Sequence, residues 1–203
     1  MNESLKQILF HEIGHYISIE LNHKIFKRGY GVEKINLILT NLNDDSSISF
    51  GETISKNPKG YKEFDEIKKP AEFIATTVYG CVFETLFFEK VNFYYCFNGG
   101  DDYSGKKDFE IYQQLITNKY SSDISDKLIS YIVNNYISGM KSNECNHLQK
   151  FNQLDFNDVL LKNDMGYLID LEKLEIKLID FINEHSKNYK KFVEKIKTII
   201  EFQ

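Results

Sequence analysis

Two histidines stand four residues apart within the first apolar segment of the chain, in the run HEIGH from His11 to His15. Residues 4–21 place their apolar side chains at helical spacing, which predicts a helix. Helical residues four apart differ by about 40° in azimuth and about 6 Å in height. Both imidazoles therefore stand on one helix face, one turn apart, and the fold must accommodate that pair.

This spacing suits a metal ion. Both imidazoles can reach one zinc ion at about 2.0–2.1 Å. Glu12 lies about 100° round the helix from His11. Its carboxylate is therefore not directed at the metal itself but can reach a water molecule bound to the metal. Zinc lowers the pKa of that water, and Glu12 acts as general base while the water attacks a peptide carbonyl. The motif predicts a zinc-dependent endopeptidase with His11 and His15 as ligands and Glu12 as the catalytic residue.

Two other interpretations compete with this one. The first is an amphipathic surface helix in which the histidine spacing is accidental; the uncharged flanks at 8–10 and 16–17 favour a buried helix instead. Gly14 costs about 1 kcal/mol relative to alanine inside a helix, and a close backbone approach beside the metal would explain it. The second is a non-catalytic zinc-binding or protein-interaction module that retains the helix.

A catalytic zinc site needs a third protein ligand, and acidic side chains are the main candidates. Asp102 lies in a polar loop at 98–105, and Asp108 opens the next predicted helix, where it also suits a helix N-cap. Glu84 lies within the apolar helix 73–88, where an unpaired carboxylate would be costly. The residues alone leave these three open. The remaining histidines lie in polar surroundings, which favours surface positions: His23, His147 and His185.

The order of these segments resembles the peptidase domain of FtsH-type proteases, the ATP-dependent zinc metallopeptidases of bacteria and organelles. The HEIGH run resembles their His-Glu-Ala-Gly-His helix, and residues 32–37 resemble the strand after it. Residues 49–53 fall where the family has a glycine-containing edge strand beside the cleft. Residues 74–87 resemble a helix with a Gly-x-x-x-Glu pattern, and 104–110 resemble the step that supplies the family's aspartate ligand.

The resemblance implies a zincin-like fold with Zn²⁺ bound by His11, His15 and Asp108. It makes Asp102 the reserve ligand and Glu84 a carboxylate behind the ligands or in the core. The aspartate step is one residue shorter here and lacks the family's asparagine. Because no ATPase domain or membrane anchor precedes the motif, we expect an ATP-independent enzyme acting on flexible polypeptides or one specific protein. The family's hexameric ring depends partly on its ATPase, so the oligomeric state stays open.

Composition and sequence pattern indicate which classes of partner and which cellular compartment to expect. The formal charge of −5 argues against a nucleic-acid partner, and the apolar stretch 73–88 is short and interrupted for a membrane span. The three cysteines have no paired spacing, so we expect neither a disulfide framework nor a thiolate zinc site: Cys81, Cys96 and Cys145. With no signal-peptide pattern at the N-terminus, the sequence predicts a cytoplasmic protein in a reducing compartment.

The segment pattern predicts a mainly helical α+β fold with a small β-sheet or hairpin. We expect one metallopeptidase-like domain over 1–203, with a zincin core at 1–140 and a helical part at 141–203. Strands are predicted at 32–39 and 47–54, a further short element at 156–161, and helices at 70–89, 107–119, 123–140 and, divided near 184–188, at 168–202. An exposed edge at 47–54 would accept an extended peptide, or the strand only closes the sheet.

Overall fold

The fold is built mainly from helices. The computed structural model describes residues 1–41, 48–56, 69–98, 104–142 and 146–202. These described residues are 71% helical and include a small four-stranded antiparallel sheet, which confirms the prediction of a mainly helical α+β fold. Most of the predicted turn at 41–47, the loop at 57–60 and the reserve ligand Asp102 lie outside the described residues.

Helix α1, Glu3–Phe26, carries the paired histidines through the core. Its N-cap Asn2 accepts a hydrogen bond from the Leu5 amide at 2.8 Å. Lys27 ends the helix in the left-handed conformation. Every residue from 9 to 19 is buried, and a helix that is buried all round is a core helix. The alternative of an amphipathic surface helix is therefore wrong.

The sheet flanks α1 and has the strand order β2-β1-β4-β3. Its strands are β1 (Val32–Leu39), β2 (Ile48–Ser55), β3 (Leu160–Asn163) and β4 (Gly166–Ile169). The predicted β1–β2 pairing is confirmed, with Ile35 opposite Thr53. The β3–β4 hairpin was not predicted in this form, because its four-residue strands are too short to show alternation. It adds to β1, so β2 lies at one edge of the sheet that the described strands form.

Helix α2, Pro70–Phe87, crosses α1 at two glycines. A Cβ atom on Gly14 would lie 2.6 Å from the carbonyl oxygen of Tyr79 and 3.1 Å from Cα of Gly80. Side chains at this crossing would push the two helices apart. The close backbone approach that we expected for Gly14 is thus an approach to α2.

The remaining helices surround this pair. They are α3 (Phe93–Asn98), α4 (Lys106–Lys119), α5 (Ser122–Ser130), a π-helical segment (Tyr131–Ile137), α6 (Ser138–Ser142), α7 (Asn146–Asn152), a 3₁₀ turn (Asn157–Val159) and α8 (Leu171–Glu201). The predicted helix at 123–140 corresponds to α5, the π-helical segment and α6. Within the part of the chain that the structure describes, no helix has the length and apolar character needed to cross a membrane.

The predicted break in the C-terminal helix near 184–188 is wrong. Helix α8 is continuous, and its N-cap Asp170 accepts a hydrogen bond from the Lys173 amide at 3.1 Å. Residues 184–188 are polar but include no glycine or proline. The buried stripe of the helix passes through His185 without a gap. Its members are Leu174, Leu178, Phe181, Ile182, His185, Tyr189, Phe192, Val193, Ile196 and Ile200.

Two of the three histidines predicted at the surface are buried instead. His185 is fully buried and His147 nearly so, whereas His23 is exposed as predicted. His147 Nε2 lies 3.1 Å from His185 Nδ1, and the Tyr79 hydroxyl contacts His185 Nε2. Burial, with a contribution from His147, lowers the pKa of His185 to about 3. Polar sequence neighbours misled the prediction because they lie on the opposite helix face.

The expectation of no disulfide is also wrong. Cys81 in α2 and Cys96 in α3 form a disulfide, with their Cα atoms 5.6 Å apart and both residues buried. The pairing depends on how α3 folds back along α2, which a spacing of 15 residues does not reveal. It also removes the cysteine-based argument for a reducing compartment, since disulfides persist mainly in oxidising ones.

Candidate metal centre and active site

His11 and His15 from α1 meet Asp108 from the first turn of α4. Asp108 Oδ2 lies 3.0 Å from Nε2 of each histidine, and the two Nε2 atoms are 3.2 Å apart. Ligand atoms about 2.0–2.1 Å from one tetrahedral zinc ion lie roughly 3.3 Å from one another. The three side chains therefore have the separations that one zinc ion requires.

The structure also shows a second group with metal-ligand spacing, formed by His11, Cys81 and Cys96. The two sulfurs in that group are joined in the disulfide, and a metal ligand must be a thiolate. Among the described residues, the group with His15 and Asp108 is thus the one whose ligand atoms are available.

The outer nitrogen of each imidazole has an acceptor. His11 Nδ1 lies 3.0 Å from Glu84 Oε2, and His15 Nδ1 lies 2.9 Å from the carbonyl oxygen of Thr76. An acceptor at Nδ1 assigns the proton to that nitrogen and directs the Nε2 lone pair toward a metal. Glu84 therefore lies behind His11, and Asp108 is the acidic residue that the fold brings to both Nε2 atoms.

Glu84 is 1% exposed and is satisfied by several neighbours. Gln7 Nε2 donates to its Oε1, and the Ser104 hydroxyl donates to its Oε2 at 2.7 Å. These partners offset the cost of a carboxylate inside an apolar helix. Sequence reasoning missed both partners. For Gln7 a signal existed, because it precedes His11 by four residues and so shares the face of the two histidines.

Glu12 is buried on the strand side of α1. Its Oε2 accepts a hydrogen bond from the Thr53 hydroxyl at 2.6 Å. A Cβ atom on Gly51 would overlap the Glu12 side chain. Burial raises the pKa of Glu12, and this effect outweighs the opposing charges of His15 and His11. Gly51 and Thr53 were not predicted as site residues; the sequence marked this segment only as an edge strand.

The ionisable groups of the cluster shift one another's pKa. Burial opposes charge on both imidazoles, but Asp108, assisted by Glu84 at His11, outweighs it and raises the pKa of His11 and of His15. Burial also opposes charge on Asp108, yet the two histidines lower the pKa of its carboxyl group. Binding of a cation at this site therefore requires release of protons from the imidazoles.

Space between the ligands is created by Gly80 of α2. A Cβ atom there would lie 2.6 Å from Nε2 of both His11 and His15. On the side of α2 the three candidate ligand atoms thus face backbone without a side chain. This leaves room for an ion between the two imidazoles and Asp108.

The cluster opens into a cleft of about 340 Å³. The strand side of the cleft is formed by residues 51–55 of β2, at the edge of the sheet. The helix side carries apolar and cationic groups, among them Phe73, Lys107 and Ile111. An extended chain laid along β2 would pass beside Glu12 and the ligand cluster.

No family model matches the chain, and no curated protein or solved structure matches it either. The class of protein is therefore defined by its own fold and site. It is a mainly helical α+β protein in which a core helix and a second helix bring two histidines and an aspartate together beside a buried glutamate.

Proposed function

We propose that this protein is a zinc-dependent metallopeptidase, an endopeptidase with a zincin-like domain of the FtsH type. The observation that carries the proposal is the convergence of His11, His15 and Asp108 within 3.0–3.2 Å of one another. The Glu12 carboxylate lies in the same cleft. These are the groups that metal-assisted peptide hydrolysis needs.

The donor set suits zinc. Two imidazole nitrogens and one carboxylate oxygen form a known type of catalytic zinc site, in which the fourth position stays open for water or substrate. Nε2 of His11, Nε2 of His15 and Oδ2 of Asp108 would hold the ion. When bound, zinc supplies a Lewis acid that polarises the scissile carbonyl and makes water more acidic.

Glu12 supplies the acid–base chemistry. Its carboxylate accepts a proton from the attacking water and returns it to the amine that leaves. Its buried position raises its pKa, which makes the carboxylate a stronger base for the first transfer than an exposed glutamate would be. Thr53 holds Oε2, and Oε1 exchanges the proton.

Glu84 and Thr76 orient the ligands. Each accepts a hydrogen bond from Nδ1 of one imidazole, which fixes ring orientation and increases the basicity of Nε2. Glu84 is itself held by hydrogen bonds from Gln7 in α1 and from Ser104 in the segment before α4.

The proposed substrate is a flexible polypeptide. Edge strand β2 offers main-chain groups to an extended peptide, and a cleft of about 340 Å³ admits a few residues rather than a folded domain. The net charge of −5 supports a polypeptide over a nucleic acid. A cytoplasmic location stays a prediction, and the Cys81–Cys96 disulfide weighs against a reducing compartment.

The test combines metal analysis with cleavage of an unfolded protein such as casein. We expect about one zinc ion per chain in the wild type, as in a mononuclear site. Glu12→Gln should retain zinc and lose about 10²- to 10⁴-fold in cleavage rate, the usual contribution of general acid–base catalysis. A variant with both His11→Ala and His15→Ala should lose zinc and activity together.

Equal, negligible zinc in the wild type and in the double variant would refute the proposal. Full zinc in the wild type with no cleavage of any unfolded substrate would instead indicate the non-catalytic zinc-binding module. The burial of Glu12 favours the enzyme, because a carboxylate buried beside the cluster is costly and a pure binding module has no use for it.

A further inference from the structure

We propose that strand β2 positions the general base: the Thr53 hydroxyl holds the Glu12 carboxylate, and Gly51 provides the space that it occupies. This inference rests on the proposed peptidase function and assigns Thr53 as a positioning residue for it. Both residues belong to the strand that also forms one wall of the cleft.

The Thr53 hydroxyl has one proton and two acceptors in range. Glu12 Oε2 lies at 2.6 Å and the Glu12 carbonyl oxygen at 3.3 Å. The shorter bond, to the carboxylate, is the charge-assisted one and therefore the stronger. A threonine is also stiff at χ1, and the pairing of Thr53 with Ile35 fixes its place in the sheet. The donor is held before any substrate arrives.

Gly51 acts on the same side chain by leaving space. Residues two apart on a strand face the same side, so Gly51 and Thr53 both face α1. A Cβ atom at Gly51 would overlap Cγ, Cδ and Oε1 of Glu12. This face of β2 thus offers the Glu12 side chain a space at Gly51 and a hydrogen-bond donor at Thr53. The Glu12 side chain occupies the space and accepts the hydrogen bond.

Such restraint matters because a carboxylate next to a dication can itself become a ligand. Among the described residues, the ligand atoms of His11, His15 and Asp108 lie within 4.8 Å of one another, and Glu12 does not belong to that group. Its bond to Thr53 keeps Oε2 on the strand side. A general base must be near the reacting water without taking its place, and the hydrogen bond from β2 enforces that separation.

The experiment compares Thr53→Val, which removes the hydroxyl and keeps the shape, with Thr53→Ser, which keeps the hydroxyl. Thr198→Val in α8 is the matched control, because its hydroxyl donates to the carbonyl oxygen of Glu194 at an exposed position of that helix. We expect Thr53→Val to keep its zinc and its KM and to lose about 10- to 100-fold in kcat, the usual effect of removing a partner behind a site. Thr53→Ser should recover most of the rate, and Thr198→Val should equal the wild type.

Binding of acetohydroxamate supplies a readout that does not depend on turnover. A hydroxamate chelates zinc and places a hydrogen-bond donor against the general base. We expect calorimetry on the zinc-loaded protein to show about 10-fold weaker binding to Thr53→Val, the value of one hydrogen bond to a charged group. If the wild type binds zinc and hydroxamate but cleaves nothing, the peptidase proposal fails and this comparison alone decides the role of Thr53.

Unchanged kcat and unchanged hydroxamate affinity in Thr53→Val would overturn the inference. So would an equal loss in Thr53→Val and Thr53→Ser, because that result would assign the effect to packing rather than to the hydroxyl. Valine is well tolerated in strands; should the variant nevertheless unfold, Thr53→Ala takes its place in the same comparison.

Discussion

Because Gly80 has no side chain, α2 can lie close to the two imidazoles. Replacing it by alanine would place a methyl group 2.6 Å from Nε2 of both His11 and His15. The rings cannot easily move away, because each is held at Nδ1 by Glu84 or by Thr76. We predict that Gly80→Ala lowers zinc affinity by about 10- to 100-fold, as loss of an orienting partner does. Competition with a chromophoric chelator measures this affinity.

Gly139→Ala is the control for that substitution. Gly139 also lies in a helix, α6, and a Cβ atom there meets nothing within 4 Å. We expect it to leave zinc affinity unchanged and to stabilise the fold by up to about 1 kcal/mol, since alanine is the better helix former. Wild-type zinc affinity in Gly80→Ala would show that the imidazoles do not depend on this space.

Site residues that lie close together in the sequence could be predicted from it, whereas residues far apart in the sequence could not. The placement of His11, Glu12 and His15 on one helix follows from local spacing alone. The residue spacing left Asp102, Asp108 and Glu84 open as third ligand, because their distance to α1 is set by the tertiary fold. The preference for Asp108 came from the resemblance, and the structure places its carboxylate against both imidazoles. Thr53 required the register of β2, which no local pattern reveals.

At the scale of elements, the disulfide fixes the start of α4 relative to α2. Gly105, which precedes α4, donates its amide to the carbonyl oxygen of Cys96 at 3.1 Å. A Cβ atom on Gly105 would overlap Cys81 Sγ. Since Asp108 lies in the first turn of α4, the disulfide supports the position of the third candidate ligand. The helix that carries this candidate ligand is thus positioned by a contact that the cysteine spacing did not predict.

We predict that reduction of this disulfide destabilises the protein by about 3 kcal/mol, the value for a closed loop of about 15 residues. Zinc affinity should fall as well, because Asp108 loses part of its support. The measurements are the free energy of unfolding in urea and zinc affinity, each with and without a phosphine reductant. A thiol assay in denaturant should find two more thiols per chain after reduction than before.

A variant with both Cys81→Ala and Cys96→Ala provides the control, because its stability should not respond to the reductant. If the wild type is equally insensitive and its thiol count does not change, the two cysteines are not paired in the isolated protein. The expectation of a reducing compartment would then regain its support.

Elements with a long, regular pattern were predicted better than short ones. The β1–β2 pairing was predicted from alternation along 32–39 and from the turn-rich segment before the second strand, and both strands have eight residues. Hairpin β3–β4 has four residues in each strand, which is too few for a periodic signal, and its formation depends on pairing with β1. The predicted break in α8 failed for a related reason: the polar segment at 184–188 hides one buried residue, His185, that continues the stripe.

At the scale of the whole molecule, the C-terminal part shares its core with the part that holds the site. Strand β4 pairs with β1, and one cluster of buried residues extends from Leu5 in α1 to Ile200 in α8. The polar contact within this shared core runs from Tyr79 in α2 through His185 to His147 in α7. The stability of the site region therefore depends on groups at 147 and 185 that take no part in its chemistry.

These histidines make the whole fold sensitive to acid. Burial, together with the adjacent His147, lowers the pKa of His185 from about 6.5 in the unfolded chain to about 3. Between these values the unfolded chain binds more protons than the native protein, so the free energy of unfolding falls as the pH falls through this window. Burial also lowers the pKa of His147, with Glu184 opposing and Lys150 adding to the effect. Both histidines act in the same direction.

We predict that the wild type loses about 2 kcal/mol of stability through His185 alone between pH 7.5 and pH 5.0. His185→Gln should be less stable than the wild type at pH 7.5 but should lose less on acidification, because its side chain does not titrate. His23→Gln, at the exposed histidine of α1, should retain the wild-type pH dependence. Urea unfolding of the three proteins at both pH values measures the difference. Identical pH dependence in the wild type and His185→Gln would assign the acid sensitivity to other groups, because only the first protein carries the buried imidazole.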